Sequence, residues 1–368
     1  MKSKIKERIV EFAHALIDQD TANVIIEPNS NSKGFWFGGG NMVFHNGVYY
    51  LCGRYRDEGD SRTGVGAGER GLELAIFSSD CVHGPWVKVK SFLKSDLKYN
   101  DESIVSIEGS SLLVSDHGID LFVSTDKDRS YPNRVVEFQK KGTGIWDIDQ
   151  ISAPSVEQLD TKNIKNTLRT EELGALHVKD PVAFNINNSI KGTGLFFCSH
   201  PFTWASSNTG LAIKESGETE FKIKTFSAID RGHSWDVACA RITDRLQIPK
   251  VGILADSPSA FVYFYDGAEC LRSLDENPAA AKRPRGYSCE EIGGIGFACE
   301  EDFPEIISFS EDFPAFISPH GTGCSRYVST LQTNEGILAT WQQSQKDESQ
   351  PLVANFLSNE RILKIFSS

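Results

Sequence analysis

The stretch Ile107-Glu108-Gly109-Ser110-Ser111-Leu112-Leu113 passes through a turn at Asp116-His117-Gly118 into Ile119-Asp120-Leu121-Phe122-Val123. A polar residue opens a short apolar run, turn residues follow, and an aromatic-bearing run returns, which is the pattern of a β-hairpin. The same order can be read four more times. Gly39-Gly40-Asn41-Met42-Val43-Phe44 turns at His45-Asn46-Gly47 into Val48-Tyr49-Tyr50-Leu51. Val178-Lys179-Asp180-Pro181-Val182-Ala183-Phe184 resumes at Leu195-Phe196-Phe197 after an Asn-rich turn. Ser234-Trp235-Asp236-Val237-Ala238 leads through a longer connection to Val251-Gly252-Ile253-Leu254 and Phe261-Val262-Tyr263-Phe264. Cys324-Ser325-Arg326-Tyr327-Val328 turns at Asn334-Glu335-Gly336 into Ile337-Leu338-Ala339-Thr340-Trp341. The openings recur at intervals of about 56 to 90 residues, long for a propeller repeat but compatible with four-stranded blades carrying long loops. The expected fold is all-β, a five-bladed β-propeller, with a β-sandwich pair or a six-bladed propeller as the alternatives.

Ahead of the repeats, Ile5, Ile9, Phe12, Ala13, Leu16 and Ile17 fall at helical spacing between Lys4, Lys6, Glu7 and Asp18. This predicts an N-terminal amphipathic helix that covers the body of the fold, the sharper alternative being a homodimer contact. The domain division is then 1–22 for the helix and 23–368 for a catalytic propeller. With 368 residues, 39% of them apolar, the chain has ample material for a core, which excludes disorder and fibres. Its 38 Lys+Arg against 50 Asp+Glu, a net charge of -12, argue against nucleic acid or an anionic membrane as partner. No apolar run is long enough to span a bilayer and no signal-peptide layout opens the chain, so a cytoplasmic location is expected. The eight cysteines are scattered, mostly beside apolar residues, without Cys-x-x-Cys or Cys/His spacing. They read as reduced core thiols, not a zinc site or disulfide framework.

In a propeller the first strand of each blade lines the central channel, so residues opening successive repeats converge although they lie far apart in sequence. The openings carry Asn41, Glu108, Asp180, Asp236 and Arg326. Three convergent carboxylates suit glycosidic bond hydrolysis: one protonates the leaving oxygen, one activates water or attacks carbon, and one tunes the other two. Each of them singly could equally be a solvated turn cap.

These residues resemble a known group. Ile107-Glu108-Gly109-Ser110-Ser111-Leu112 is similar to the Glu-Gly-Pro acid motif of the five-bladed arabinanase and xylosidase superfamily, and Lys179-Asp180-Pro181 to the Asp-Pro motifs of fructofuranosidases and mannoside phosphorylases. Ser78-Ser79-Asp80 followed by Gly84-Pro85-Trp86 resembles an outer-strand segment of the same superfamily and, loosely, the Asp-box of sialidases. The resemblance implies Glu108 as general acid and Asp180 as general base or modulator. It also implies an Asp where this chain has Asn41, which cannot serve as a base, so that role is left between Asp180 and Asp236.

Several further segments are candidates for substrate binding. The run from Arg54 to Gly71 includes Arg62, Glu69 and Arg70 and is long for a hairpin turn. Its arginines could fork onto a carboxylate, sulfate or phosphate, or pair with the loop's own acids. Of Glu290 and Glu291 only one can face inward on a strand, and Glu290 is taken as the candidate. His320, Arg326 and Tyr327 stand at the mouth of the fifth repeat, and a lone His320 is more often hydrogen-bonded than a metal ligand. Trp36 and Trp204 are the better candidates for sugar-stacking platforms. The expected function is a glycoside hydrolase acting on short, acidic or otherwise decorated oligosaccharides, with no cofactor and no catalytic metal, a cation in the channel being the one addition the superfamily suggests. The alternatives are a glycoside phosphorylase, a non-catalytic sugar-binding propeller, and a sialidase-like enzyme using Arg54, Arg241, Arg326 and Tyr327.

Overall fold

The computed structural model describes residues 3–57, 71–100, 102–139, 141–187, 191–269 and 291–367. Five antiparallel sheets follow one another along the chain, each built from its inner strand outward. Blade I has Trp36–Gly38 and Met42–His45 side by side along Val48–Arg56, then Glu73–Ser79 and Val87–Leu93. Blade II is Ile104–Ser115, Gly118–Lys127, Ile145–Ala153 and Lys165–Leu168; blade III is His177–Asn187, Lys191–His200, Asn208–Glu215 and Lys222–Thr225. Blade IV is Cys239–Gln247, Ala260–Ala268, Ile292–Cys299 and Ile307–Ser308. Blade V is composite, with Ser325–Gln332, Gly336–Gln343 and Leu352–Ser358 completed by Asn23–Ile26 from the other end of the chain. That pairing closes the ring and leaves the first and last blades no free seam.

Alternation explains why the middle strands are apolar on both faces. In blade II, Ile119, Leu121 and Val123 pack with Leu74 and Ile76 of blade I. Phe122, between them in sequence, packs with Leu195 and Phe197 of blade III. Successive side chains point to opposite faces, so each such strand belongs to two inter-blade cores. The N-terminal helix, Ser3–Leu16, buries Ile9, Phe12, Ala13 and Leu16 against Trp341, Val353 and the second helix, Asn359–Ser367, through Ile365 and Phe366. Its apolar stripe is thus spent inside the chain. No helix among the described residues is long and apolar enough to cross a membrane.

Two readings of the sequence are corrected. The fourth blade does not open at Ser234–Ala238: its inner strand begins at Cys239, and Gly252–Leu254 is a single 3-10 turn. Of the cysteines, Cys52, Cys198, Cys239 and Cys324 are buried free thiols, but Cys81 is exposed and Cys299 half-buried; Cys270 and Cys289 lie outside the described residues.

Candidate active site

Every inner strand breaks step where it reaches the axis. The pairing register slips between Ile107 and Ser110, Lys179 and Val182, Ile242 and Asp244, and Arg326 and Ser329, and in blade I the strand is interrupted between Gly38 and Met42. An extra residue in one strand bends it and re-aims a side chain. Asp180 and Tyr327 take up left-handed backbone in these breaks, with φ of 49° and 54°. Pro181, which has no N–H to offer a ladder, follows Asp180 at the same interruption.

The breaks bring Glu108 and Asp180 together, both nearly fully buried. Asp180 Oδ1 accepts the Gly109 backbone N–H at 2.9 Å, and its Oδ2 accepts from Arg241 Nη1 at 3.1 Å. A Cβ on residue 109 would lie 2.4 Å from that Oδ1, so only glycine allows the contact. Lys179 Nζ stands 3.7 Å from Asp180 and 3.9 Å from Glu108. Glu108 accepts from Ser106 Oγ at 2.9 Å and from Arg54 Nη2 at 3.1 Å, and Arg54 Nη1 lies 4.0 Å from Asp180. Burial alone would raise the Asp180 carboxyl, but Lys179, Arg241 and Arg54 outweigh it and hold it at about 2. Asp180 is a permanent anion.

A second tier continues this network. Arg241 Nη2 reaches Asp266 at 2.8 Å and Glu291 at 2.9 Å, and Arg326 closes on Glu291. The Tyr327 N–H donates to Asp266 at 3.1 Å. Burial, opposed by Arg241 and reinforced by Glu291, pushes the Asp266 carboxyl up to about 7. Burial would also raise Glu291, yet Arg241 and Arg326 hold it at about 2. Buried Trp36 has two guanidiniums against its ring, Arg54 at 4.8 Å and Arg326 at 4.9 Å from the ring centre. Among the described residues, Arg54 Nη1 and Arg241 Nε are buried without a hydrogen-bond partner.

The expected residues separate clearly. Glu108, Asp180, Arg54, Arg241, Arg326, Tyr327 and Trp36 meet around the axis, with Trp36 buried against the guanidiniums. Asn41 borders the axis but clamps blade I to blade II, its Oδ1 accepting the Leu112 N–H at 2.7 Å and its Nδ2 donating to the Leu112 carbonyl at 2.9 Å. Asp236 is not brought to the cluster: it lies among Gly232, Gly267 and Tyr265, whose hydroxyl donates to it at 3.1 Å. The displaced start of blade IV is the reason, and Arg241 and Asp266 occupy the place expected of it. His320 sits in a turn where its own N–H donates to Ser318 Oγ at 3.1 Å, with no side-chain contact to the cluster among the described residues. Arg62, Glu69, Arg70 and Glu290 lie outside the described residues, and of the adjacent glutamates it is Glu291 that is seen facing inward.

Three members of the cluster carry little signal in the sequence. Lys179 stands there only as the first residue of the Lys-Asp-Pro tripeptide. Asp266 interrupts the apolar run Phe261–Tyr265, and a lone carboxylate in such a strand is a legible sign of burial with a partner. Glu291 was weighed beside Glu290. Among the described residues no group of three or more His, Cys, Asp or Glu side chains is placed to hold a metal ion.

No protein-family model matches the chain, and no curated protein matches its sequence. Solved structures do share its fold. A thermostable family-43 glycoside hydrolase superposes with a TM-score of 0.56 at 13% identity, over 90% of this chain and 91% of that one. An α-L-arabinofuranosidase from Lactobacillus brevis gives 0.55 at 11% identity, over 92% and 93%. A member of the family-130 mannoside phosphorylases, a family reported to contain glycoside hydrolases that target β-1,2-mannosidic linkages in Candida mannan, gives 0.53 at 12% identity, over 91% and 92%. The chain therefore has the five-bladed propeller fold found in these glycoside-cleaving enzymes.

Proposed function

We propose that the protein is a glycoside hydrolase acting on short, acidic oligosaccharides at the axial cluster, with Glu108 as the general acid. The observation that supports this most is the pairing of Glu108 with Asp180 on adjacent inner strands, sharing Lys179 and Arg54. Asp180, held ionised at about 2, is the fixed charge of the pair. In this reading Glu108 protonates the leaving oxygen, while Asp180 stabilises the positive charge that develops on the sugar ring in the transition state. The surrounding arginines favour a substrate with its own negative charge. The test is turnover of a panel of aryl glycosides and oligosaccharides, uronic and sialic acids included. Glu108→Gln is expected to lower kcat by at least about 10²-fold, and an undiminished kcat would remove the assignment.

One observation favours phosphorolysis as a second reading. Asp180 is saturated with donors and held far down as a base, and Asp266 and Glu291 are committed to Arg241. Inorganic phosphate attacks without a general base, and the same cations would bind it. Turnover that requires added phosphate and releases a sugar phosphate would select this reading.

A further inference from the structure

Beside the carboxylates, blade III carries a wall that the proton chemistry does not use. Trp204 lies between Lys191–His200 and Asn208–Glu215 with φ of 57°, backbone that a bulky residue keeps only where its surroundings overdetermine it. Its indole Nε1–H donates to the Tyr131 hydroxyl at 3.2 Å. His177 stacks on the ring at 4.5 Å, His200 lies against it at 4.4 Å, and Trp146 meets it edge-on at 4.8 Å. His177 and His200 are opposite each other on paired strands and so project to one side of the sheet. Both imidazoles therefore reach the indole from the same side of the sheet, and the ring is half-buried. The support is uncharged, because burial and Lys179 hold His177 down at about 3.

Lys179 stands over this ring, Nζ 6.0 Å from the Trp204 ring centre. Arg54 and Arg241 each donate to carboxylates at 3.1 Å or less. The Lys179 ammonium lies beyond hydrogen-bonding distance of Glu108 and Asp180 and makes no hydrogen bond among the described residues. Its side chain retains 15% of its exposure. It thus holds N–H donors that make no hydrogen bond among the described residues, between the Glu108 and Asp180 carboxylates and the half-buried indole, in a cluster where Arg54, Lys179, Arg241 and Arg326 face Glu108, Asp180, Asp266 and Glu291. We propose that Lys179 and Trp204 form a subsite for a pyranose ring bearing an anionic group, the ring stacked on the indole and a carboxylate or phosphate ester taking the Lys179 donors. The inference rests on the glycosidase reading and names the residues that read the substrate's charge.

The test compares aryl hexuronides, aryl hexoside 6-phosphates and their neutral aryl hexosides on wild type, Lys179→Met, Trp204→Leu and Trp204→Phe. Lys179→Met is expected to lower the anionic-to-neutral ratio of kcat/KM by about tenfold. The ratio cancels whatever the loss of Lys179 does to Glu108 and Asp180. Trp204→Leu should raise KM for charged and neutral sugars alike and leave the ratio unchanged, with Trp204→Phe intermediate. The hexuronide and phosphate arms separate the two sources of charge. An unchanged ratio in Lys179→Met, or an unchanged KM in Trp204→Leu and Trp204→Phe, overturns the subsite. Fluorescence quenching by free hexuronate and hexose 6-phosphate is read in parallel. Quenching that both Lys179→Met and Trp204→Leu weaken, without turnover of any glycoside, keeps the subsite and removes the glycosidase reading; turnover of neutral glycosides alone, without quenching, does the reverse.

Discussion

Two buried charge clusters lie in neighbouring parts of this molecule, and they are built to different ends. In blade II, Lys127, Asp147 and Asp149 are wholly buried. The Lys127 ammonium donates to Thr125, Asp147 and Asp149, and Asp147 also takes Arg129 and Arg169. Asn166 donates to the other oxygen of Asp149 at 3.0 Å. Around the axis, by contrast, among the described residues Lys179 has no hydrogen bond and two guanidinium nitrogens are buried without a hydrogen-bond partner. Both clusters are desolvated, but only in the first does every charged group hold a hydrogen bond to a partner of opposite charge. A charged group left partly unmatched is tolerated where a ligand can complete it.

The comparison breaks most sharply at the two lysines. Lys127→Met leaves Asp147 and Asp149 without their central cation and should cost about 3–5 kcal/mol, seen as a lower midpoint in urea. Lys179→Met should change that midpoint far less, since its lost partners are more distant and its side chain is partly wet. Equal losses of stability would show that the axial cluster is as structural as the one in blade II.

A smaller effect separates this chain from the superfamily it resembles. Asn41→Asp installs the carboxylate that the resemblance implies, but the Asn41 amide both donates to and accepts from the Leu112 backbone. An ionised Asp would turn its oxygen toward the Leu112 carbonyl, with an expected loss of about 1–3 kcal/mol and no gain in turnover. Thermal denaturation of the variant checks the first, and the glycoside panel the second.

A further effect appears only in acid. Buried His177 takes no proton until about pH 3, whereas in the unfolded chain it titrates near its ordinary value of 6.5. The unfolded state binds the extra proton across that window, so the histidine's contribution to stability is lost as pH falls from 6.5 toward 3. His177→Gln should flatten that slope in denaturation curves taken between pH 4 and pH 7. Asp180 acts lower still: its stabilisation is present above 3.8 and lost as pH falls toward about 2, so Asp180→Asn should leave the His177 window unaltered.

How legible was the site before folding? Glu108 and Asp180 were visible because each opens an apolar hairpin at an equivalent place, and that periodicity survives in the structure as two adjacent bulges. Asp236 misled because it precedes an aromatic-rich segment in the same manner, while the strand that reaches the axis starts three residues later. Lys179 was invisible as a binding residue because nothing in a linear sequence distinguishes an unspent ammonium from a paired one. Trp204 could be suspected as a platform from its Ser- and Gly-bearing surroundings, but the two histidines against its ring come from paired strands that only the fold brings together.

The linear chain by itself determined the all-β architecture, the five repeats and the amphipathic helix, because alternation and turn chemistry act between near neighbours and need no partner to be read. Only the tertiary structure decided which charges meet. Arg54, Glu108, Asp180, Arg241 and Arg326 come from five blades, and their ion pairs depend on register slips of a single residue at the axis. A slip of that size reverses the direction of a side chain without altering the composition or periodicity of the strand that carries it.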